Sequence, residues 1–412
     1  MEVFVNNAEG VDLDDSLLQR NSKSALNLFE CTLMMINAIT GMGALKLSVN
    51  FKYGAVSTSI VNLLLCLVSY YANWMLLTVM KIKRTFSYEE SWRATMKHAS
   101  FLTSINIIIP SVSFTSWYFL NIQELLISLL QQYYPNSSYI FKDTYLIAIS
   151  VAIIICLPVI FQRTMKLVSV LSMIAFLCCI FAMVHITYWF IKYYNMYGFD
   201  PDQKMVLYSS NGIVAVFSDY ISAYCGFMFT FPCLSQLKSL TFNRGKSLMK
   251  YTHVFLFIFY EYTGLVSYFT LWDKQGSAII YDKLPQGNMF LTIAYIVYIV
   301  LILCSIPMMI NPARESALQI VSTTTKYPSY IWTSSGVLVA VTSILWTSLT
   351  GTYLSILRLF MSAAVMIIGF ILPALMLSKV MDKLSKIHWV GITFFLVVGI
   401  GTMLFSLISP FL

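Results

Sequence analysis

Stretches of about 20 mostly apolar residues recur along this chain, separated by short polar gaps, and they leave it one class of fold. A bilayer core roughly 30 Å thick takes about 20 residues of helix to cross, and lipid offers no partner to an open backbone N–H or C=O. Eleven stretches meet this requirement, near 26–50, 56–80, 101–131, 144–161, 166–191, 212–236, 248–272, 288–311, 331–350, 354–378 and 389–410. Charged residues make up only 11% of the 412 residues. A soluble domain needs about 25%, so a soluble enzyme or binding module is excluded. The net charge of +8 does not point to nucleic acid, because the basic residues sit in the gaps between apolar runs and read as topology signals.

Their distribution sets an orientation. With the N-terminus in the cytoplasm, 18 of the 26 Lys and Arg residues fall on the inner side, including the cluster from Lys81 to Lys97 and that from Lys238 to Lys250. The positive-inside rule then gives a cytoplasmic N-terminus, an outer C-terminus and an odd number of spans. Residues 1–24 read as a disordered cytoplasmic tail and 25–412 as a single transmembrane domain. No secretory signal peptide is expected, since the tail is acidic (Asp12, Asp14, Asp15). Asp14-Asp15-Ser16-Leu17-Leu18 has the form of an acidic dileucine sorting signal, a pattern that a random acidic tail also produces. Asn136-Ser137-Ser138 is a sequon in an outer gap. All eight cysteines lie in or beside apolar runs, so no disulfide and no metal site is expected.

Two spans carry residues that an uninterrupted helix avoids. The first reads Asn37-Ala38-Ile39-Thr40-Gly41-Met42-Gly43-Ala44, with two glycines beside Asn and Thr at mid-depth. The sixth reads Ala223-Tyr224-Cys225-Gly226-Phe227, followed by Thr230 and Pro232. Small-residue helix packing accounts for either segment alone. Interrupted helices five positions apart point to a transporter built from two inverted five-helix repeats, here with one extra helix.

The ordered motifs resemble the amino acid/auxin permease family, and within it the sodium-coupled neutral amino acid transporter branch. Asn37 to Gly43, continuing to Leu47-Ser48, is similar to that branch's N-A-I-x-G-x-G-x-L-x-L-S motif. Further matches are Ser87-Tyr88-Glu89-Glu90, Glu124-Leu125, Leu157-Pro158, Tyr268-Phe269, and Pro307 with Pro312-Ala313-Arg314-Glu315-Ser316. The resemblance covers residues 25–410. It implies a LeuT-like fold of eleven helices, a substrate site halfway across the membrane between spans one and six, and symport of one amino acid with Na⁺ or H⁺. Two positions depart from the pattern: Gly226-Phe227 stands where the branch has Cys-His, and Lys46 where a small residue is usual. These departures leave the substrate class and the coupling ion open.

Within that frame the residues take roles. A substrate carboxylate requires donors, and N–H groups of Gly41, Met42 and Gly43 at a half-helix N-terminus are expected to supply them. Carbonyls around Cys225 and Gly226 are expected to accept from the ammonium group. Thr40, Phe229 and Thr230 are expected to shape the side-chain pocket. Asn37 and Ser305 are the sodium-site candidates, at points where the family pattern has an Asn and a hydroxyl. Ionisable residues inside spans are functional candidates by default. Glu261, the deepest carboxylate, is a candidate proton carrier, and Lys46 with Asp219 a candidate outer gating pair. His253, like Glu30, His98 and His388, is placed near the inner face in a solvated role.

The reading is thus a cation-coupled transporter of small or neutral amino acids, monomeric, in the plasma membrane or a lysosomal or vacuolar membrane. It takes no cofactor beyond Na⁺ or H⁺, and its partners are the amino acid, the ion and lipid. A membrane-embedded enzyme would want a His-Asp or paired-carboxylate cluster at one interface. A channel without amino acid coupling would not need two broken helices. An ATP-driven pump would want a phosphate-binding loop of the G-x-x-x-x-G-K-[ST] type, which the sequence lacks.

Overall fold

The computed structural model describes residues 26–43, 47–133, 150, 161, 165–197, 206–208, 213–271, 284, 288–321, 327–381 and 386–408. The described residues form helices and no strand beyond an isolated bridge between Leu26 and Leu237. In chain order these are α1 (Leu28–Gly43), a 3₁₀ segment (Leu47–Tyr53), α2 (Ala55–Lys83), α3 (Tyr88–Met96), α4 (Ser100–Tyr133) and α5 (Lys166–Tyr197). They continue with α6 (Ile213–Ala223), α7 (Phe227–Gln236), α8 (Phe242–Leu271), α9 (Met289–Val321) and α10 (Ser329–Met366). A π turn (Ile367–Ile371), α11 (Leu372–Val380) and α12 (Lys386–Ile408) complete the order. Seven stretches of helix are long and apolar enough to cross a bilayer, among the described residues. This is the all-α, membrane-spanning architecture that the apolar runs dictate. The fourth expected span, the sequon at Asn136 and the N-terminal tail lie outside the described residues.

The expected interruption of the sixth span is present, Tyr224, Cys225 and Gly226 splitting it into α6 and α7. The first span is α-helical through Gly43 and 3₁₀ from Leu47 to Tyr53, with residues 44–46 outside the described residues. One boundary differs from expectation. A turn is expected near residues 351–353, but the backbone runs as one helix from Ser329 to Met366. Thr350-Gly351-Thr352 holds neither proline nor charge, and a lone glycine costs a helix only about 1 kcal/mol, too little to end it.

Helix α1 lies at the centre, packed by α5, α6, α7, α8 and α9, while α4 packs against α9 and α10. Its N-terminus is closed by a reciprocal cap: Asn27 N–H donates to Glu30 Oε2 (2.7 Å) and Glu30 N–H to Asn27 Oδ1 (2.8 Å). The residue before it ties the two broken spans together. Leu26 N–H donates to the Gln236 carbonyl at the end of α7, and Lys238 N–H donates to the Leu26 carbonyl, both at 2.8 Å.

The short helix α3 joins spans two and three and explains the Ser87-Tyr88-Glu89-Glu90 motif. Ser87 caps it by accepting from Glu90 N–H (3.1 Å), and the Glu90 carboxylate reaches back to Phe86 N–H (3.0 Å). The middle two residues anchor the helix against the spans. Tyr88 donates to the Ile368 carbonyl in the π turn (2.5 Å), and Glu89, only 3% exposed, accepts from Ser104 of α4 (3.2 Å). Burial pushes the Glu89 carboxyl above its ordinary value, opposed by hydrogen bonds from Ser316 and Ser104. A raised carboxylate pKa means the packed state favours the neutral form. The docking of α3 is therefore strongest below the ordinary carboxylate pKa and weakens as pH rises through the raised value. Thermal unfolding of the purified protein is expected to show a midpoint that falls as pH rises from the ordinary carboxylate range through the raised value, and Glu89→Gln is expected to flatten that dependence. An unchanged slope in the variant contradicts this role.

Candidate functional site

The α6–α7 break is buried and meets α1. Gly226, between α6 and α7, is so close to α1 that an added Cβ would lie 2.4 Å from Ile39 Cδ1. On the α1 side, a Cβ on Gly41 would lie 2.5 Å from Ser305 Oγ and 2.6 Å from the Tyr118 hydroxyl. Glycine at both positions is thus a condition for the close approach of α1 to α4, α9 and the α6–α7 break. Thr40, Gly41, Cys225, Gly226, Phe229 and Thr230 are all buried there.

Direction matters for what this arrangement binds. Gly41, Met42 and Gly43 are the last described residues of α1 and are helical, so their N–H groups are spent within the helix rather than standing at a half-helix N-terminus as expected. The N–H groups at a helix start belong instead to α7, which begins at Phe227 with Gly226 as its cap, and such an end is suited to an anionic group.

Tyrosines hold the breaks together. The Tyr260 hydroxyl lies 3.2 Å from the Ile39 carbonyl on α1 and 3.5 Å from the Ala223 carbonyl at the end of α6. Its single hydrogen serves one of them at a time. The fully buried Tyr118 hydroxyl makes no hydrogen bond to protein and points at Gly41. An unspent donor at this place is available to a ligand.

Asn37 and Ser305 are brought together. Ser305 Oγ lies 2.7 Å from Asn37 Oδ1, and Asn37 Nδ2 donates to Ser172 Oγ of α5 and to the Cys304 carbonyl, each at 3.1 Å. One amide therefore ties α1 to α5 and α9. Thr40 is turned back onto its own helix, its hydroxyl donating to the Ile36 carbonyl (2.9 Å). Thr230 faces α2, where it donates to Asn73 Oδ1. Its hydroxyl is engaged there, away from α1.

A polar seam runs between α2, α8 and the α6–α7 break. Ser59, Asn62, Cys66, Ser69 and Asn73 recur at intervals of three and four along α2, which stacks them on one helix face. The adjoining face carries Ile60, Leu63, Leu64 and Leu67, all exposed as lipid-facing residues are. Ser69 Oγ donates to the Tyr224 carbonyl (3.1 Å) and lies 3.0 Å from His253 Nε2, while His253 Nδ1 lies 2.8 Å from the Met249 carbonyl. His253 is 2% exposed and belongs to this seam, correcting its assignment to a solvated inner face. It sits 11 residues into α8, about three turns, which carries it from the helix end into the packed region. Glu261, two turns further along, accepts from Asn62 Nδ2 at 2.9 Å and contacts Ser59 Oγ. Asp219 on α6 is exposed, and Lys46 lies outside the described residues. The α2 stripe was the sequence signal for the seam; nothing in the spacing of Tyr118 or Tyr260 marked them out.

Comparison with known proteins gives one family and one fold. The family model described as transmembrane amino acid transporter protein matches residues 25–411. A crystal structure of MhsT in complex with L-phenylalanine superposes with a TM-score of 0.61 at 12% identity, covering 94% of this chain and 100% of that one. A substrate-bound, outward-open Na⁺-coupled sialic acid symporter gives 0.61 at 10% identity, covering 100% and 94%. The nucleobase-cation-symport-1 family transporter Mhp1, closed on bromovinylhydantoin, gives 0.52 at 10%, covering 94% and 96%. No curated protein matches. At these identities the likeness is one of fold, and that fold is LeuT-like.

Gly41→Ala tests the contact between α1 and its neighbours. Its methyl must displace both Ser305 and Tyr118, and overpacking of this kind costs about 1–3 kcal/mol. A lower unfolding midpoint and loss of substrate uptake are the expected results. Gly401→Ala, where no atom lies within 4 Å, is expected to leave both unchanged. Equal behaviour of the two variants contradicts the packing described.

Proposed function

The chain belongs to the transmembrane amino acid transporter family, and we propose that it carries one small or neutral amino acid together with Na⁺ or H⁺ by alternating access. The observation that supports this reading is the buried contact of the α6–α7 break with α1, at Gly226 and Ile39. In this reading the carbonyl end of α1 and the N–H end of α7 are the two poles offered to the substrate. A zwitterion matches such a pair of ends at both of its charges. The proposed substrate contacts are the carbonyls of Thr40, Gly41, Met42 and Gly43 for the ammonium group, and the α7 N-terminus beside Cys225 and Gly226 for the carboxylate. The Tyr118 hydroxyl is a further donor, with Phe229 among the buried residues around them. The protein performs no covalent chemistry in this reading.

The coupling ion has two candidate seats. A sodium ion wants several oxygens, and Asn37 Oδ1 and Ser305 Oγ, 2.7 Å apart, are the proposed side-chain ligands. The other seat is a carboxylate that takes a proton, for which Glu261 is the group within a span. The distribution of basic residues supports a cytoplasmic N-terminus, and the proposed residence is the plasma membrane or a lysosomal or vacuolar membrane.

Purified protein in liposomes is expected to exchange internal unlabelled for external labelled neutral amino acid, and to accumulate it when a Na⁺ or pH gradient is imposed. Ion flux with no amino acid requirement contradicts the proposal. Asn37→Ala separates the two seats. It removes the amide's bonds to Ser305, Ser172 and the Cys304 carbonyl, at a cost of about 1–3 kcal/mol in stability. If sodium binds there, the variant requires at least tenfold more Na⁺ for half-maximal uptake; an unchanged Na⁺ response makes Asn37 a packing residue.

A further inference from the structure

The tenth span changes its winding for five residues. Ile367–Ile371 form a π turn between α10 and α11, in which the Leu372 N–H donates to the Ile367 carbonyl five residues back. Such a turn is rare, and single π turns occur frequently at functional sites. Pro373 loosens the helix here, since it has no N–H to give and its ring crowds the carbonyl four residues back, that of Gly369. Proline permits a departure from α winding but does not choose which residue bulges. Two contacts from outside the span do.

The first comes from α3. In an α-helix the Leu372 N–H would donate to the Ile368 carbonyl, four residues back; that carbonyl instead accepts from the Tyr88 hydroxyl at 2.5 Å. Tyr88 thus holds the acceptor that α winding would require. The second comes from the break in the sixth span. The ring of Phe227, the first residue of α7, lies so near Gly369 that an added Cβ would overlap it, and it meets the Phe370 ring edge-on at 6.1 Å. Helix α7 joins the two contacts: Phe231, four residues after Phe227 and so on the same face, meets the Tyr88 ring edge-on at 5.3 Å. Phe227, Phe231, Tyr88, Ile368 and Phe370 are all buried. Behind the turn, Gly399 of α12 lies against Phe370 and Ile371.

We propose that this π turn is a relay between the substrate site and the inner face, with Tyr88 and Gly369 as its positioning residues. The N-terminus of α7 is the proposed carboxylate contact, so a bound amino acid acts on the residue whose ring covers Gly369. A shift of Phe227 removes one of the two contacts that hold the bulge. Rewinding the segment as α-helix returns the Ile368 carbonyl to Leu372, frees the Tyr88 hydroxyl, and turns α11 by one residue, about 100° and 1.5 Å. Because α11 packs on α2 and α3, that turn undocks α3 and opens the inner side. In the reverse direction, docking of α3 restores the bulge and seats Phe227.

This inference rests on the transport reading, and the test separates the two. Absence of amino acid counterflow in liposomes holding the wild type overturns the transport reading and the relay with it. Maleimide modification of Cys31 and Cys233, buried toward the inner ends of α1 and α7, reads opening on the inner side. In purified wild type, a neutral amino acid that it transports is expected to change the rate at both thiols at least threefold. Tyr88→Phe keeps the ring against Phe231 and loses only the bond to Ile368. It is expected to bind the amino acid with a half-saturation within threefold of wild type, to lose the response of both thiols, and to slow counterflow at least tenfold. Gly369→Ala is expected to slow counterflow likewise; should it not fold, Tyr88→Phe decides. Ser116→Ala, which loses a buried bond to the Ser343 carbonyl between α4 and α10, controls for destabilisation alone and is expected to keep both the response and the rate. A wild type that transports without the thiol response, or a Tyr88→Phe protein that keeps the response or transports at the Ser116→Ala rate, overturns the relay.

Discussion

A helix opened inside a membrane leaves backbone groups that lipid cannot satisfy, and the structure is organised around that cost. Two spans are opened at the same place, so the protein needs polar side chains on several neighbouring helices rather than on one. Tyr260 from α8 reaches the carbonyls of both opened spans, and Ser69 from α2 takes a third carbonyl, that of Tyr224. Asn37 sits one turn before Gly41 on the first span and is held by α5 and α9. The polar residues of this otherwise apolar bundle are concentrated where the backbone is irregular.

That arrangement ties ionisable side chains of α8 to the break in the sixth span. The residues that stabilise Tyr224 are themselves tied to Glu261 and His253 of α8 through α2. A change of charge on α8 therefore acts on hydrogen bonds that hold the break, and a change in the break acts on the same bonds from the other side. Reciprocity of this kind is what coupling between an ion and a substrate requires. The opposite ends of α1 and α7 are joined separately through Leu26, so the breaks can respond while those ends stay paired.

Much of this was legible in the sequence, because its causes are local. Runs of apolar residues fix the spans, the paired glycines at 41 and 43 and the Tyr224-Cys225-Gly226 segment mark the breaks, and Ser87 with Glu90 marks a helix start. What was not legible depends on which residues meet across the fold. The direction of the first break is one case: glycines signal that a helix is weak but not whether they fall in its last turn or in the next one's first. Thr230 is another, since its partner Asn73 lies 157 residues away. The continuous helix through residues 351–353 shows the converse, a gap in hydropathy without a break in the backbone.

Hydrogen–deuterium exchange of the purified protein, with and without a neutral amino acid that it transports, tests the central claim that one substrate is held by both breaks. Bound substrate is expected to slow exchange together at the end of α1, through Gly43, and from Tyr224 to Phe229, with much smaller changes on the lipid-facing side of α2. Protection confined to one break, or none at either while transport is intact, contradicts it.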